Sequence, residues 1–254
     1  MKKTFLLWDN SSEHKTEIHF YKPKNKKSDV AIVIFAGGAY AFRSAHEGVG
    51  YAEFLSENGY NAFVVDYRVA PDYFPLPLLD ARRAVRFVRA NAEKFCVDKN
   101  KVLVMGSSAG GHLAALVSTY TQKIDGECAD NIDKENFLPN GQILCYPVIA
   151  SDESIAHIDS YKHLLGTNFD KKELFSPELL VNQTTPPAYI WHTSEDDCVN
   201  VINSFRYAES LRKFLIPCEM HIFPYGLHGV GLARQSPHIT RWKEWLLEWL
   251  QAYY

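Results

Sequence analysis

Residues 106–110 read Gly106-Ser107-Ser108-Ala109-Gly110, and this short stretch restricts the fold more than any other part of the chain. It follows the apolar run Lys101-Val102-Leu103-Val104-Met105 and precedes a helical pattern opening at Gly111-His112-Leu113. Strand, small-residue turn and helix form the context in which G-x-S-x-G becomes a nucleophile elbow. So tight a turn strains its central residue and excludes bulk on either side. Glycine at both ends lets strand and helix approach, and Ala109 keeps the second flank small. Ser108 is then expected above the sheet edge, with the Ala109 N–H aimed where an oxyanion would form. Gly and Ser also meet in ordinary turns; the flanking strand and helix carry the catalytic reading.

The rest of the chain fits that context. Residues 30–35 are continuously apolar, as expected of a strand buried on both faces. Further strands are read at 61–66, 142–146, 188–192 and 218–223, and 16–21 alternates like an edge strand of an antiparallel hairpin. Ser44-x-x-Glu47 reads as a capping box for a helix that stops near Asn58-Gly59. Asp80 reads as the cap of a helix running to about Phe95. Helices are also expected from the elbow to about Tyr120, over 201–215, and at Trp242, Trp245, Leu246 and Trp249. Arg82, Arg83, Arg86 and Arg89 recur opposite Ala81, Ala84, Val85 and Val88, which reads as a solvated helix face. This alternation implies an α/β fold, a mostly parallel sheet with helices on both faces. The weakly periodic connections at 121–140 and 150–186 are read as small cap insertions in a single domain spanning 1–254.

Composition excludes several partners. A net charge of −3, with 22% charged residues, gives no nucleic-acid surface. Five scattered cysteines (96, 128, 145, 198, 218) without a C-x-x-C argue for free thiols in a reducing compartment. Lys2-Lys3 with Phe5-Leu6-Leu7-Trp8 faintly resembles the start of a signal peptide, but the apolar run breaks at Asp9-Asn10. No segment approaches transmembrane length, so a cytoplasmic location without membrane association is expected. The closing Leu250, Tyr253 and Tyr254 read either as packing of the last helix or as a homodimer contact.

A serine hydroxyl needs a base to take its proton and a third group to orient that base. The last strand ends in Pro224-Tyr225-Gly226-Leu227-His228-Gly229, where glycines flank a histidine, and His228 is the expected base. After the strand at 188–192, Glu195-Asp196-Asp197 offers three candidate acids in a row. His112 is expected to pack or hydrogen-bond inside the elbow helix, and His192 and His221 to serve the core. His46 follows the glycine loop at a helix start, while His14, His19, His157, His163 and His238 carry no motif. Ala36-Gly37-Gly38-Ala39-Tyr40 directly follows the strand at 30–35 and can turn backbone N–H groups toward the site. No H-E-x-x-H or other metal spacing appears, so neither metal nor cofactor is called for.

Together these segments resemble the α/β-hydrolase carbohydrate esterases, notably the bacterial acetyl xylan and feruloyl esterase-like group. The resemblance covers most of the chain. It runs through 36–40, Asp66-Tyr67-Arg68-Val69-Ala70-Pro71, residues 106–112, Phe175-Ser176-Pro177, residues 199–204 and Gly226-Leu227-His228-Gly229. It implies Asp196 as the triad acid, three residues before Val199, ahead of Asp197 and Glu195. It also implies Gly38 and Ala39, with Ala109, as oxyanion donors, and a carboxylate partner for Arg68 beneath the loop. Ala36, Ala39 and Asn200 depart from the residues relatives usually carry there. The implied activity is a serine esterase removing short acyl groups, acetyl first, from sugar-like alcohols. An arylformamidase or small peptidase on the same triad, or a non-catalytic binding relative, are the alternatives. Glycoside hydrolysis is disfavoured, since it needs two carboxylates facing one bond.

Overall fold

A computed structural model describes residues 2–8, 16–125 and 130–254. These form an eight-stranded sheet from β1 (Lys2–Leu6), β2 (Glu17–Tyr21), β3 (Ala31–Phe35), β4 (Asn61–Val65), β5 (Val102–Ser107), β6 (Gly141–Cys145), β7 (Ala188–Thr193) and β8 (Cys218–Phe223). The order is β1-β2-β4-β3-β5-β6-β7-β8. Pairing is antiparallel for β1 with β2 and β2 with β4, and parallel from β4 through β8. The expected α/β architecture is therefore present.

The helices are α1 (Ala45–Glu57), α2 (Leu76–Ala90), α3 (Ala92–Phe95), α4 (Ser108–Thr119), α5 (Ile158–Leu165), α6 (Pro177–Leu180), α7 (Ile202–Lys213) and α8 (Trp242–Tyr253). Successive strand residues point to opposite faces, so β3 feeds two cores. Val33 and Phe35 join α2, α4 and α7 on one side, while Ile32 and Ile34 join α1 and α8 on the other. At the centre of the second core Trp191 stacks on Trp242, with ring centroids 4.9 Å apart and planes at 15°. Full burial of each such strand side chain contributes about 1.5–3 kcal/mol. Among the described residues no helix is long and apolar enough to cross a membrane.

Four local expectations are corrected. The 16–21 strand lies inside the sheet, and the lysine-bearing N-terminal run becomes β1, a mostly exposed edge strand. Ser44 stands at the N-cap of α1, but its Oγ lies 2.8 Å from His46 Nδ1 and Glu47 turns inward, 3% exposed. The capping box is not made. Asp80 lies inside α2 and is fully buried, where its carboxylate accepts from the Arg68 Nε (2.9 Å), Nη2 (2.7 Å) and backbone N–H (2.8 Å), and from Trp8 Nε1 (2.6 Å). That is the carboxylate implied for Arg68. The helix itself stops at Ala90, and Asn91 separates it from α3.

The arginine face of α2 is not solvated. Arg82, Arg83, Arg86 and Arg89 are all buried. The described part of 121–140 is built over them. Arg82 donates to the carbonyls of Tyr120 and Gln122, Arg86 to that of Glu135, and Arg89 to those of Lys99 and Leu138. Arg83 forks onto Asp130 (2.6 and 2.5 Å) and also pairs with Asp133 at 2.9 Å. Planar guanidinium groups with several donors suit loop carbonyls in a way an aliphatic face could not.

Leu250 is buried, and the Tyr254 hydroxyl donates to the Asn140 carbonyl, so both finish the packing of α8. Cys96, Cys145, Cys198 and Cys218 are free thiols. Cys128 and His14 lie outside the described residues, as does the Asp9-Asn10 break.

Candidate active site

β5 runs straight into α4 through Ser108, whose φ of 53° lies in the left-handed region. In a residue with a Cβ this conformation costs about 1–2 kcal/mol, and the surrounding contacts impose it. A Cβ at Gly106 would lie 2.0 Å from the Gly110 carbonyl oxygen, and one at Gly110 would lie 2.1 Å from that of Phe35. Only glycine permits strand, helix and neighbouring strand to meet so closely, which leaves Ser108 at the apex with 6% exposure.

His228 follows β8, and its Nε2 is 2.9 Å from Ser108 Oγ. Its Nδ1 is 2.7 Å from Asp196 Oδ2. A Ser108 O–H donating to Nε2, with Nδ1–H donating to Asp196, satisfies both contacts with one neutral tautomer. Asp196 is 1% exposed at its side chain and is itself held on both oxygens. Oδ1 accepts from the N–H groups of Cys198 (3.0 Å) and Val199 (2.8 Å). Oδ2 also lies 3.1 Å from His192 Nε2. Burial would raise this carboxyl, but hydrogen bonds from His192 and His228, the charge of His228 and the Val199 N–H hold it well below the usual range.

The other two acids have different positions. Glu195 Oε2 accepts the Gly226 N–H at 3.1 Å, and Asp197 Oδ1 accepts the His228 N–H at 3.3 Å. Three consecutive carboxylates thus fasten the histidine loop, one by its ring and two by its backbone. His192 was expected in the core. It is fully buried, yet it orients Asp196 while its Nδ1 faces Ser204 Oγ at 2.8 Å. An in-strand position hid this role, because period-two patterning does not distinguish a packed imidazole from a hydrogen-bonding one.

In the 36–40 loop every carbonyl is occupied. Ala36 O accepts from Tyr67 Oη (2.6 Å), Gly37 O from Ser44 N–H, Gly38 O from Ala41 and Phe42 N–H, Ala39 O from His163 Nδ1 (3.0 Å), and Tyr40 O from Ala70 N–H. Among the described residues none accepts from the N–H of Gly38 or Ala39. The loop therefore presents donors fixed by their own carbonyls' partners, a preorganised arrangement for a developing negative charge. Gly38 has φ 129°, and Ala39 and Tyr40 have φ 53° and 56°. Ala39 thus adopts a left-handed conformation despite its Cβ. Ala109, the third expected donor, is fully buried in the first turn of α4.

The buried Tyr40 hydroxyl lies 2.8 Å from His112 Nδ1, and His112 Nε2 donates to Phe175 O at 2.8 Å. Burial lowers the His112 pKa to about 4, against the opposing pull of the Phe175 bond. His112 therefore serves as a neutral bridge between loop, elbow helix and the 150–186 insertion. That insertion also supplies His163 and His157, whose Nε2 is 3.4 Å from Cys198 Sγ. His46 Nε2 lies 2.8 Å from Gly229 O, so it braces the histidine loop from α1. His221 stacks half-buried on Trp245. Away from this site Glu17, His19 and Asp66 bring potential ligand atoms within 4.8 Å of one another, but His19 already bonds Thr4 and Asp66, and Arg43 stands 3.6 Å from Asp66. That group reads as an ion-pair cluster.

The BD-FAE family profile matches residues 18–211. The chain is 38% identical over 216 residues to endo-1,4-beta-xylanase B of Butyrivibrio fibrisolvens, covering 83% of this chain and 34% of that protein. It is 31% identical over 262 residues to an acetylxylan esterase of Xylanibacter ruminicola, covering 98% of this chain and 51% of that one. The chain thus spans between a third and a half of the length of these curated relatives. A solved structure described as an acetyl ester-xyloside bifunctional hydrolase from Caldicellulosiruptor lactoaceticus superposes with a TM-score of 0.91 at 38% identity, covering 98% of this chain and 96% of that one.

Proposed function

Because the chain belongs to the BD-FAE family of α/β-hydrolases, we propose that it is a serine carboxylic-ester hydrolase that deacetylates short-acyl, sugar-like esters through an acyl-enzyme. The observation that carries this reading is the unbroken line from Ser108 Oγ through His228 to Asp196, at 2.9 and 2.7 Å. His228 Nε2 takes the proton as Ser108 Oγ attacks the ester carbonyl. The imidazolium is stabilised by Asp196, and the tetrahedral oxyanion by the N–H groups of Gly38, Ala39 and Ala109. Collapse breaks the C–O bond to the alcohol, which leaves with the proton from His228. Water then gives its proton to His228, attacks the acyl-enzyme carbon and frees the acid and Ser108.

The acetylxylan esterase and acetyl ester-xyloside hydrolase named above support a sugar acetate as substrate. Xyloside cleavage finds less support here, since it needs two free carboxylates flanking one bond. Glu195, Asp196 and Asp197 are each tied to the His228 loop. The test compares p-nitrophenyl acetate hydrolysis by the wild type and Ser108→Ala, followed by acetylated sugars against long-chain esters. At least a 10³-fold loss in the variant is expected. A wild-type rate no better than the variant's refutes the esterase reading, and long-chain esters cleaved faster than acetates refute the short-acyl assignment.

A further inference from the structure

Glu47 is a carboxylate buried beneath the site in the first turn of α1, away from the Ser108–His228–Asp196 line. A buried carboxylate persists only where donors satisfy it. Its Oε2 accepts the Gly37 N–H at 3.0 Å, and its Oε1 accepts the Tyr146 O–H at 2.6 Å. The Tyr146 oxygen receives the Gly231 N–H at 3.0 Å and lies 3.2 Å from the Tyr51 hydroxyl. Tyr51 in turn accepts from Ser107 Oγ at 2.9 Å.

The directions in this chain are fixed by chemistry. A carboxylate can only accept, so Tyr146 must donate to Glu47. Its oxygen is then free to accept from Tyr51 and Gly231, and Tyr51 from Ser107. Every hydrogen runs toward Glu47. The origins of the chain matter as much as its end. Gly37 precedes the oxyanion donors, Ser107 precedes Ser108, and Gly231 lies in the loop carrying His228. The Tyr146 ring also stands edge-on to the His228 ring, at 5.1 Å and 73°. At Gly37 a Cβ would lie 2.4 Å from Glu47 Oε2 and 3.1 Å from Ser108 Cβ, so loop, anion and elbow are in direct contact.

We propose that Glu47 is a positioning residue, the single anion that holds the oxyanion loop, the nucleophile strand and the histidine loop in mutual register. The role rests on the esterase reading. It predicts that Glu47→Gln fails although it is isosteric. Glutamine offers one acceptor oxygen and one amide. If the oxygen serves Gly37, the amide faces the Tyr146 hydroxyl, which must turn away and reverse the chain. If the oxygen serves Tyr146, the amide opposes the Gly37 N–H.

Steady-state hydrolysis of p-nitrophenyl acetate is measured for the wild type, Ser108→Ala, Glu47→Gln, Tyr146→Phe and the Glu47→Gln/Tyr146→Phe double variant. We expect Glu47→Gln to lose about 10–100-fold in kcat with KM within about twofold, since a small displacement of preorganised groups costs on that order. Tyr146→Phe is expected to lose a comparable factor. The double variant should be no worse than the worse single one, because both changes cut one chain. A general loss of packing would instead give losses that multiply. With an active wild type, a Glu47→Gln rate within about twofold of it, or multiplying losses, overturns the proposal and leaves the esterase reading intact. A wild type no better than Ser108→Ala overturns the esterase reading and this role with it. Should Glu47→Gln not fold, Tyr146→Phe alone decides, by whether kcat falls while KM holds.

Discussion

Acidification should drain stability through the Tyr40–His112–Phe175 bridge before it reaches most of the carboxylates. His112 is 1% exposed, with Nδ1 facing the Tyr40 hydroxyl and Nε2–H donating to Phe175 O, each at 2.8 Å. Protonation puts a hydrogen on the one nitrogen that must stay bare. Burial lowers the folded-state pKa from 6.5 to about 4, with the Phe175 bond opposing. The unfolded chain therefore takes up a proton that the folded chain refuses throughout that interval. Stability from the neutral bridge is complete above pH 6.5, falls as the pH drops, and is gone near pH 4. The linkage amounts to about 3 kcal/mol. His112→Gln keeps a donor for Phe175 but cannot also accept from Tyr40, a loss of about 1–3 kcal/mol at neutral pH. Urea unfolding of both proteins, in steps from about pH 7.5 to about pH 4.5, isolates this group because other titrations cancel in the difference. The wild type's lead should shrink by about 2.5 kcal/mol over that range, so that it nearly vanishes or reverses. A lead that does not change with pH refutes the reasoning.

Further substitutions separate the site from its supports. Asp196→Asn should lower kcat by about 10⁴-fold by removing the acceptor that sets the His228 tautomer, while Glu195→Gln and Asp197→Asn, which loosen backbone clasps alone, should each lose less than about tenfold in the same ester assay. His163→Ala frees the Ala39 carbonyl and should cost about fivefold in kcat, read at saturating substrate. Arg83→Ala leaves the carboxylates of Asp130 and Asp133 without their shared guanidinium. Because Arg86 stays 3.7 Å from Asp133 and Asp130 is part-exposed, the substitution should destabilise the fold by about 1–3 kcal/mol in urea, with kcat of the folded fraction unchanged.

The strands at 30–35 and 61–66 were legible because burial on both faces leaves an unbroken apolar run, and the elbow because its glycines answer to steric limits only a few residues long. What escaped was pairing at long range. Ser44-x-x-Glu47 has the spacing of a capping box, and spacing cannot tell whether the carboxylate folds back onto its own helix or reaches Gly37 and Tyr146. Asp80 looked like a helix cap for the same reason, although its partner Arg68 stands outside the helix. The arginine row on α2 has the period of a wet face. Only the segment built over it, from a connection without periodicity of its own, turns it into an interior. Asp196 could be chosen among three neighbouring acids by resemblance to a family. Its geometry depends on His192, whose polar role an alternating strand pattern conceals.

The stacked indoles of Trp191 and Trp242 give the folded protein an optical signature. Two chromophores 4.9 Å apart with nearly parallel planes couple electronically, so the packed state should show a near-ultraviolet circular dichroism couplet that a loosened, secondary-structure-rich chain lacks. Tyr146 stands edge-on to Trp191 at 4.9 Å and edge-on to His228 on its other side. The couplet therefore reports packing directly behind the His228 ring, with Tyr146 as the one ring between them.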